Sequence, residues 1–120
     1  PGWGGTQRLP RLIGPAAAKE LLFTGRIIDS QEALRLGILG RIVPQSELMD
    51  ACLCLAREIL AKAPVAVCLA KQAVDEGMEV GFEEALEVEA RYFGDACATE
   101  DMREGVQAFL EKRAAHFAGK

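Results

Sequence analysis

The sequence holds a single histidine, His116, and no Cys-x-x-Cys pair. Its four cysteines, Cys52, Cys54, Cys68 and Cys97, are scattered. The nearest two are two positions apart, so on a helix they point to different faces and cannot share a metal. That spacing gives no zinc site, and no metal ligand is expected. The cysteines read instead as small buried hydrophobes in a reducing compartment. No apolar run approaches the roughly 20 residues that span a bilayer, and no basic-then-apolar segment reads as a signal peptide. Neither a membrane nor a nucleic acid is an expected partner. Lys and Arg number 14 against 18 Asp and Glu, a net charge of −4, which lacks the broad basic footprint of a nucleic-acid binder. Any anionic ligand must therefore be held by a few locally placed cations. There is no internal repeat and no low-complexity linker.

What is present fits one modest domain of 120 residues, half of them hydrophobic and 27% charged. Thr6 is a cap for a short helix carrying Gln7 and Arg8, limited by Pro10. Pro15 opens a second helix to Thr24, stopped by Gly25. Ser30 caps a third, Gln31 to Leu36, which Gly37 ends. Ile38 to Val43 is the one good strand candidate, closed by Pro44. Leu48, Cys52, Leu55 and Ile59 recur at three and four, predicting an amphipathic helix over 46–62. Pro64 starts another that ends at Gly77. A further helix from Phe82 to Phe93 places Phe82, Ala85, Leu86, Glu89 and Phe93 on one face. Thr99 caps the last, with Glu100 and Asp101 in its first turn and Lys112 and Arg113 at its end. The fold class is thus mainly α, a helical layer with one or two short strands, and it looks like one half of a larger architecture.

The opening Pro1-Gly2-Trp3-Gly4-Gly5-Thr6-Gln7-Arg8-Leu9 resembles a glycine-dense segment of the crotonase (enoyl-CoA hydratase/isomerase) superfamily. Leu22-Phe23-Thr24-Gly25-Arg26 is similar to the family's leucine-threonine-glycine connector, and Ala33 to Val43 to its helix-strand passage. Thr99-Glu100-Asp101, Glu104-Gly105 and Ala108 to Arg113 resemble its C-terminal signature. The motifs stand in family order along essentially all 120 residues, and they resemble the enoyl-CoA hydratases most. The resemblance implies the C-terminal part of a β-β-α spiral fold: residues 1–44 as the last part of the spiral core, and residues 45–120 as a helical region for oligomerisation and coenzyme A binding. It implies a homo-oligomer, a trimer or a dimer of trimers. It also places the family's two catalytic glutamates and its oxyanion hole before residue 1. The chain alone is then expected to be inactive, since adding water to an enoyl thioester needs a base, an acid and donors for the enolate oxygen.

The same resemblance assigns roles to single residues. The backbone of Gly2 helps position the catalytic water, and Gly4-Gly5 let the main chain approach the acyl pocket. Trp3 stands where short-chain hydratases commonly carry a small residue; an indole there either reshapes that pocket or packs under the spiral. Phe93 matches an aromatic lining the coenzyme A site, with an ordinary core phenylalanine as the alternative. Lys112 matches the lysine that meets the adenosine 3′-phosphate, with a solvated helix-end lysine as the alternative. Arg113 is a second candidate for that phosphate. Arg8 is expected to pair with a carboxylate. Glu83, Glu84, Glu87 and Glu89 have surface-helix spacing without a family motif, and His116 has no partner for nucleophilic catalysis.

The substrate implied is a coenzyme A thioester (an acyl-CoA), with no prosthetic group, in the bacterial cytoplasm or the mitochondrial matrix. Isomerase, dehydratase and hydrolase activities of the superfamily share this region. A non-catalytic helical assembly module is the alternative of a different class. A phosphate-cradling nucleotide loop is disfavoured, because Gly-Trp-Gly-Gly-Thr lacks the Gly-Lys-Ser/Thr ending.

Overall fold

The computed structural model describes residues 1–120, which form two compact units, Pro1–Met49 and Asp50–Lys120. The first contains α1 (Gly5–Ile13), α2 (Pro15–Thr24), α3 (Ser30–Arg35) and a single 3₁₀ turn, Gln45–Glu47. The α1 helix packs on α2, and Ala18 is fully buried. Gly14 between them sits at φ 80°, ψ 155°, a region closed to other residues. Gly25 ends α2 in the left-handed conformation, its N–H bonded to Leu21 C=O. Arg26 then joins α2 to α3, with a two-pronged bond to Glu32 at 2.8 and 2.7 Å and a third bond to Glu20 at 3.2 Å.

Several sequence expectations change here. Gly4, not Thr6, caps α1, and the helix runs through Pro10. A proline inside costs the one N–H bond its nitrogen cannot make, and neighbouring turns keep theirs. Asp29, not Ser30, caps α3, its carboxylate accepting the Glu32 N–H at 2.8 Å. Residues 38–43 form no strand. The N–H groups of Ile38 and Leu39 instead both reach Ala33 C=O, at 2.9 and 3.3 Å, folding the chain back on the end of α3. A strand needs a partner ladder, and no segment of this chain supplies one.

The α4 helix (Leu48–Leu60) leads into the second unit, where α5 (Pro64–Gly77) and α6 (Phe82–Cys97) form a closely packed hairpin. Gly77 ends α5 against α6: a Cβ there would lie 3.6 Å from Ala85 Cβ, an ordinary contact distance. Glu76 fastens the hairpin, accepting from Arg91 at 2.6 Å and from the Tyr92 hydroxyl, with the Arg91 guanidinium 4.7 Å from the Tyr92 ring centre. The α6 helix passes Gly94 and continues one turn beyond Phe93. The α7 helix (Glu100–Glu111) is capped as expected, Thr99 Oγ1 accepting the Met102 N–H at 3.1 Å.

Buried apolar residues are few and small: Ala18, Ala33 and Ala108. Contrary to expectation the cysteines are not core. Cys52, Cys54 and Cys68 are exposed on α4 and α5 faces that this chain leaves uncovered, and Cys97, at the end of α6, is half-buried.

Candidate functional site

The resemblance marks two regions, one in each unit. At the start of the first, Gly2 C=O accepts the Gly5 N–H at 2.9 Å, closing the turn into α1. Trp3 and Gly4 follow at φ 55° and 79°. Arg8 donates to Trp3 C=O at 2.8 Å, so its guanidinium holds this loop, and no carboxylate of this chain pairs with it. A Cβ on Gly4 would sit 2.8 Å from Arg8 Nη1. The Arg8 tip can swing away, so it is the positive φ that favours glycine here. The Trp3 side chain, with its backbone in a conformation that bulky residues avoid, is 98% exposed.

In the second unit Phe93 lines a groove of about 380 Å³ between α5 and α6, facing Leu69, Ala70 and Ala73. The α5 wall is largely alanine, and Phe93 remains 70% exposed. It is therefore not a core phenylalanine within this chain. Tyr92 beside it is locked to Glu76. The Tyr92 hydroxyl, and then Arg91, hold the Glu76 carboxyl below the usual carboxylate range, while the same bond pushes the Tyr92 phenol up.

Lys112 lies past the end of α7 rather than in its last turn, in the left-handed conformation at φ 55°, ψ 37°. Its N–H reaches back to Ala108 and Phe109 C=O, and it takes part in no ion pair. Arg113 makes four bonds: Nη1 and Nη2 to Glu104 at 2.6 and 2.9 Å, Nε to Glu111 at 2.6 Å, and Nη1 to Ala114 C=O at 3.1 Å. Glu104 also accepts the His116 N–H at 2.8 Å. Arg113 first, then that N–H, hold the Glu104 carboxyl down at about 2.

Phe93 and Lys112 thus share one unit, and Lys112 does not line the Phe93 groove; Gly2 belongs to the other unit. Sequence reasoning missed Asp101. It is 2% exposed and accepts the Ala118 and Gly119 N–H groups at 2.6 and 2.8 Å, while its own N–H bonds Lys120 C=O at 3.1 Å. An aspartate in a first helical turn reads as a dipole partner; nothing in its spacing signals a tail seventeen residues on. No three His, Cys, Asp or Glu side chains are grouped to hold a metal ion, and no helix is long and apolar enough to cross a membrane.

The sequence pattern of the enoyl-CoA hydratase/isomerase family matches residues 1–120. The chain belongs to this family. Crotonyl-CoA hydratase of Syntrophomonas wolfei is 48% identical over 120 residues, all of this chain and 46% of that protein. Short-chain-enoyl-CoA hydratase of Clostridium acetobutylicum is 47% identical over 113 residues, 94% of this chain and 43% of that protein. The crystal structure of an enoyl-CoA hydratase from Bacillus anthracis superposes with a TM-score of 0.93 at 43% identity, covering all of this chain and 46% of that one. The helical architecture is therefore a portion of the crotonase fold. The chain spans a little under half the length of the curated relatives it matches, and those relatives include bacterial and mitochondrial proteins.

Proposed function

We propose that these 120 residues are the C-terminal half of an enoyl-CoA hydratase that adds water to 2-enoyl-CoA thioesters, as in fatty-acid β-oxidation. The observation that carries this reading is the end-to-end match of the chain to less than half of each hydratase it resembles. Residues 1–44 close the spiral core, and residues 45–120 supply the oligomerising and coenzyme A-binding helices. Acid, base and oxyanion donors come from the preceding half, so the isolated chain is inactive. Gly2 positions the water through its backbone, Phe93 lines the coenzyme A site, and Lys112 meets the adenosine 3′-phosphate. The substrate is the coenzyme A thioester itself, with no prosthetic group, in a reducing compartment, cytoplasm or mitochondrial matrix.

The geometry that supports Lys112 is an ammonium without an ion-pair partner, while the neighbouring Arg113 pairs with Glu104 and Glu111. In the full-length protein, Lys112→Ala is expected to raise KM for a coenzyme A thioester by about tenfold, the loss of one charge-assisted contact, and to change kcat much less. Steady-state hydration kinetics at low salt check this; an unchanged KM removes Lys112 from the site.

One observation favours a second reading, a non-catalytic assembly module. Phe82, Leu110 and Phe109 are among many large apolar residues left exposed on α6 and α7. Light scattering on the purified chain separates the two: a well-folded small oligomer favours the module, and aggregation or disorder favours a half awaiting its other half.

A further inference from the structure

Only two non-glycine residues have positive φ, Trp3 and Lys112. The second ends α7 where helices usually place glycine, because a Cβ in that conformation crowds the backbone. A lysine that persists there needs an external hold. The hold is the next residue. The Arg113 N–H bonds Ala108 C=O at 3.0 Å and closes the turn, while its guanidinium is fixed to Glu104 by two bonds and to Glu111 by one. Glu104 in turn fixes the chain beyond the turn through the His116 N–H. The pair is the better shielded of this unit's ion pairs between helix and tail, with Glu104 24% and Arg113 37% exposed.

The charges matter as much as the turn. Glu111 is the last residue of α7, next to Lys112 in the chain, and Glu104 lies about two turns earlier; a carboxylate left unpaired there would compete for a free lysine ammonium. Arg113 occupies both, and a planar fork does this better than a point charge could. Each guanidinium nitrogen of Arg113 thereby has a partner within the chain, and four of its five N–H groups are engaged.

We propose that Arg113, held by Glu104, is a positioning residue: it fixes the left-handed turn at Lys112 and keeps the neighbouring carboxylates occupied, so that the Lys112 ammonium is presented to the phosphate of the substrate's nucleotide end. This rests on the reading of Lys112 given under the proposed function.

The test compares kcat/KM of the full-length protein for one 2-enoyl group carried on coenzyme A and on pantetheine, which lacks the nucleotide and its phosphates. The ratio of the two isolates the phosphate contact. Arg113→Gln and Glu104→Gln are each expected to lower that ratio about five- to tenfold, as Lys112→Ala does, with little further loss in the double variants. Arg113→Lys should recover only part of it. Should Lys112→Ala lower the ratio while both glutamine variants leave it intact, the positioning role is overturned and the Lys112 reading stands. Should Lys112→Ala itself leave it intact, both fall. Equal losses on the two substrates, with a lowered melting temperature, would reduce the clamp to a structural contact and overturn the proposal. If Arg113→Gln fails to fold, the isosteric Glu104→Gln decides alone.

Discussion

Asp101 is the one charged side chain the fold buries, and its partners are backbone N–H groups rather than a cation. A buried carboxylate of this kind is tolerated only because its oxygens are occupied. Asp101→Ala leaves the Ala118 and Gly119 N–H groups without acceptors, and hydrogen bonds to a charged group are worth roughly 1.5–3 kcal/mol. The expected outcome is a loss of that size in urea unfolding of the full-length protein, with amide exchange rising first at residues 118 and 119. Glu104 gives a pH signature of defined sign. Its carboxyl is held at about 2 in the folded chain, below an ordinary value of 4.5. Its contribution is therefore fully present above about 4.5 and is lost as the pH falls toward 2. Glu32, Glu76 and Glu111 are lowered as well and act in the same direction. The tail should loosen in that window, seen as faster exchange of the His116 N–H, and Glu104→Gln should loosen it already at neutral pH.

At the scale of elements, α2 and α7 end differently. The first stops at Gly25, where a left-handed conformation costs nothing; the second stops at Lys112, where it does. Lys112→Gly is therefore expected to stabilise the fold slightly, by up to about 1 kcal/mol, while weakening coenzyme A thioester binding as Lys112→Ala does. Thermal melting and hydration kinetics on one preparation check both halves of that trade. Starts and stops built on such local chemistry were readable in the sequence: Pro15, Pro64, Gly25 and Thr99 all act where their type indicates. Elements that depend on what lies opposite were not. Ile38 to Val43 has strand composition but no ladder partner in the chain, and the exposed cysteines follow hydrophobic spacing on faces that nothing here covers. Of the site, Gly2, Phe93 and Lys112 were nameable by resemblance, whereas the Asp101 and Glu104 contacts depend on the return of the tail, which no local pattern announces.

At the scale of the whole molecule, surface area states the central point. The chain exposes 9402 Å², whereas even two separate globules of this combined mass are expected to expose about 7,600 Å². Three alanines make the buried apolar core, and large residues such as Phe23, Leu60 and Phe109 are left in solvent. So much exposed apolar surface agrees with a segment spanning a little under half of its hydratase relatives. The most direct test is hydration of crotonyl-CoA, followed by loss of the conjugated thioester absorbance, by the 120-residue chain and by the full-length protein that contains it. The expected result is turnover by the full-length protein and none above background by the chain alone. Turnover by the chain alone would contradict the account, because it would place acid, base and oxyanion donors within these 120 residues.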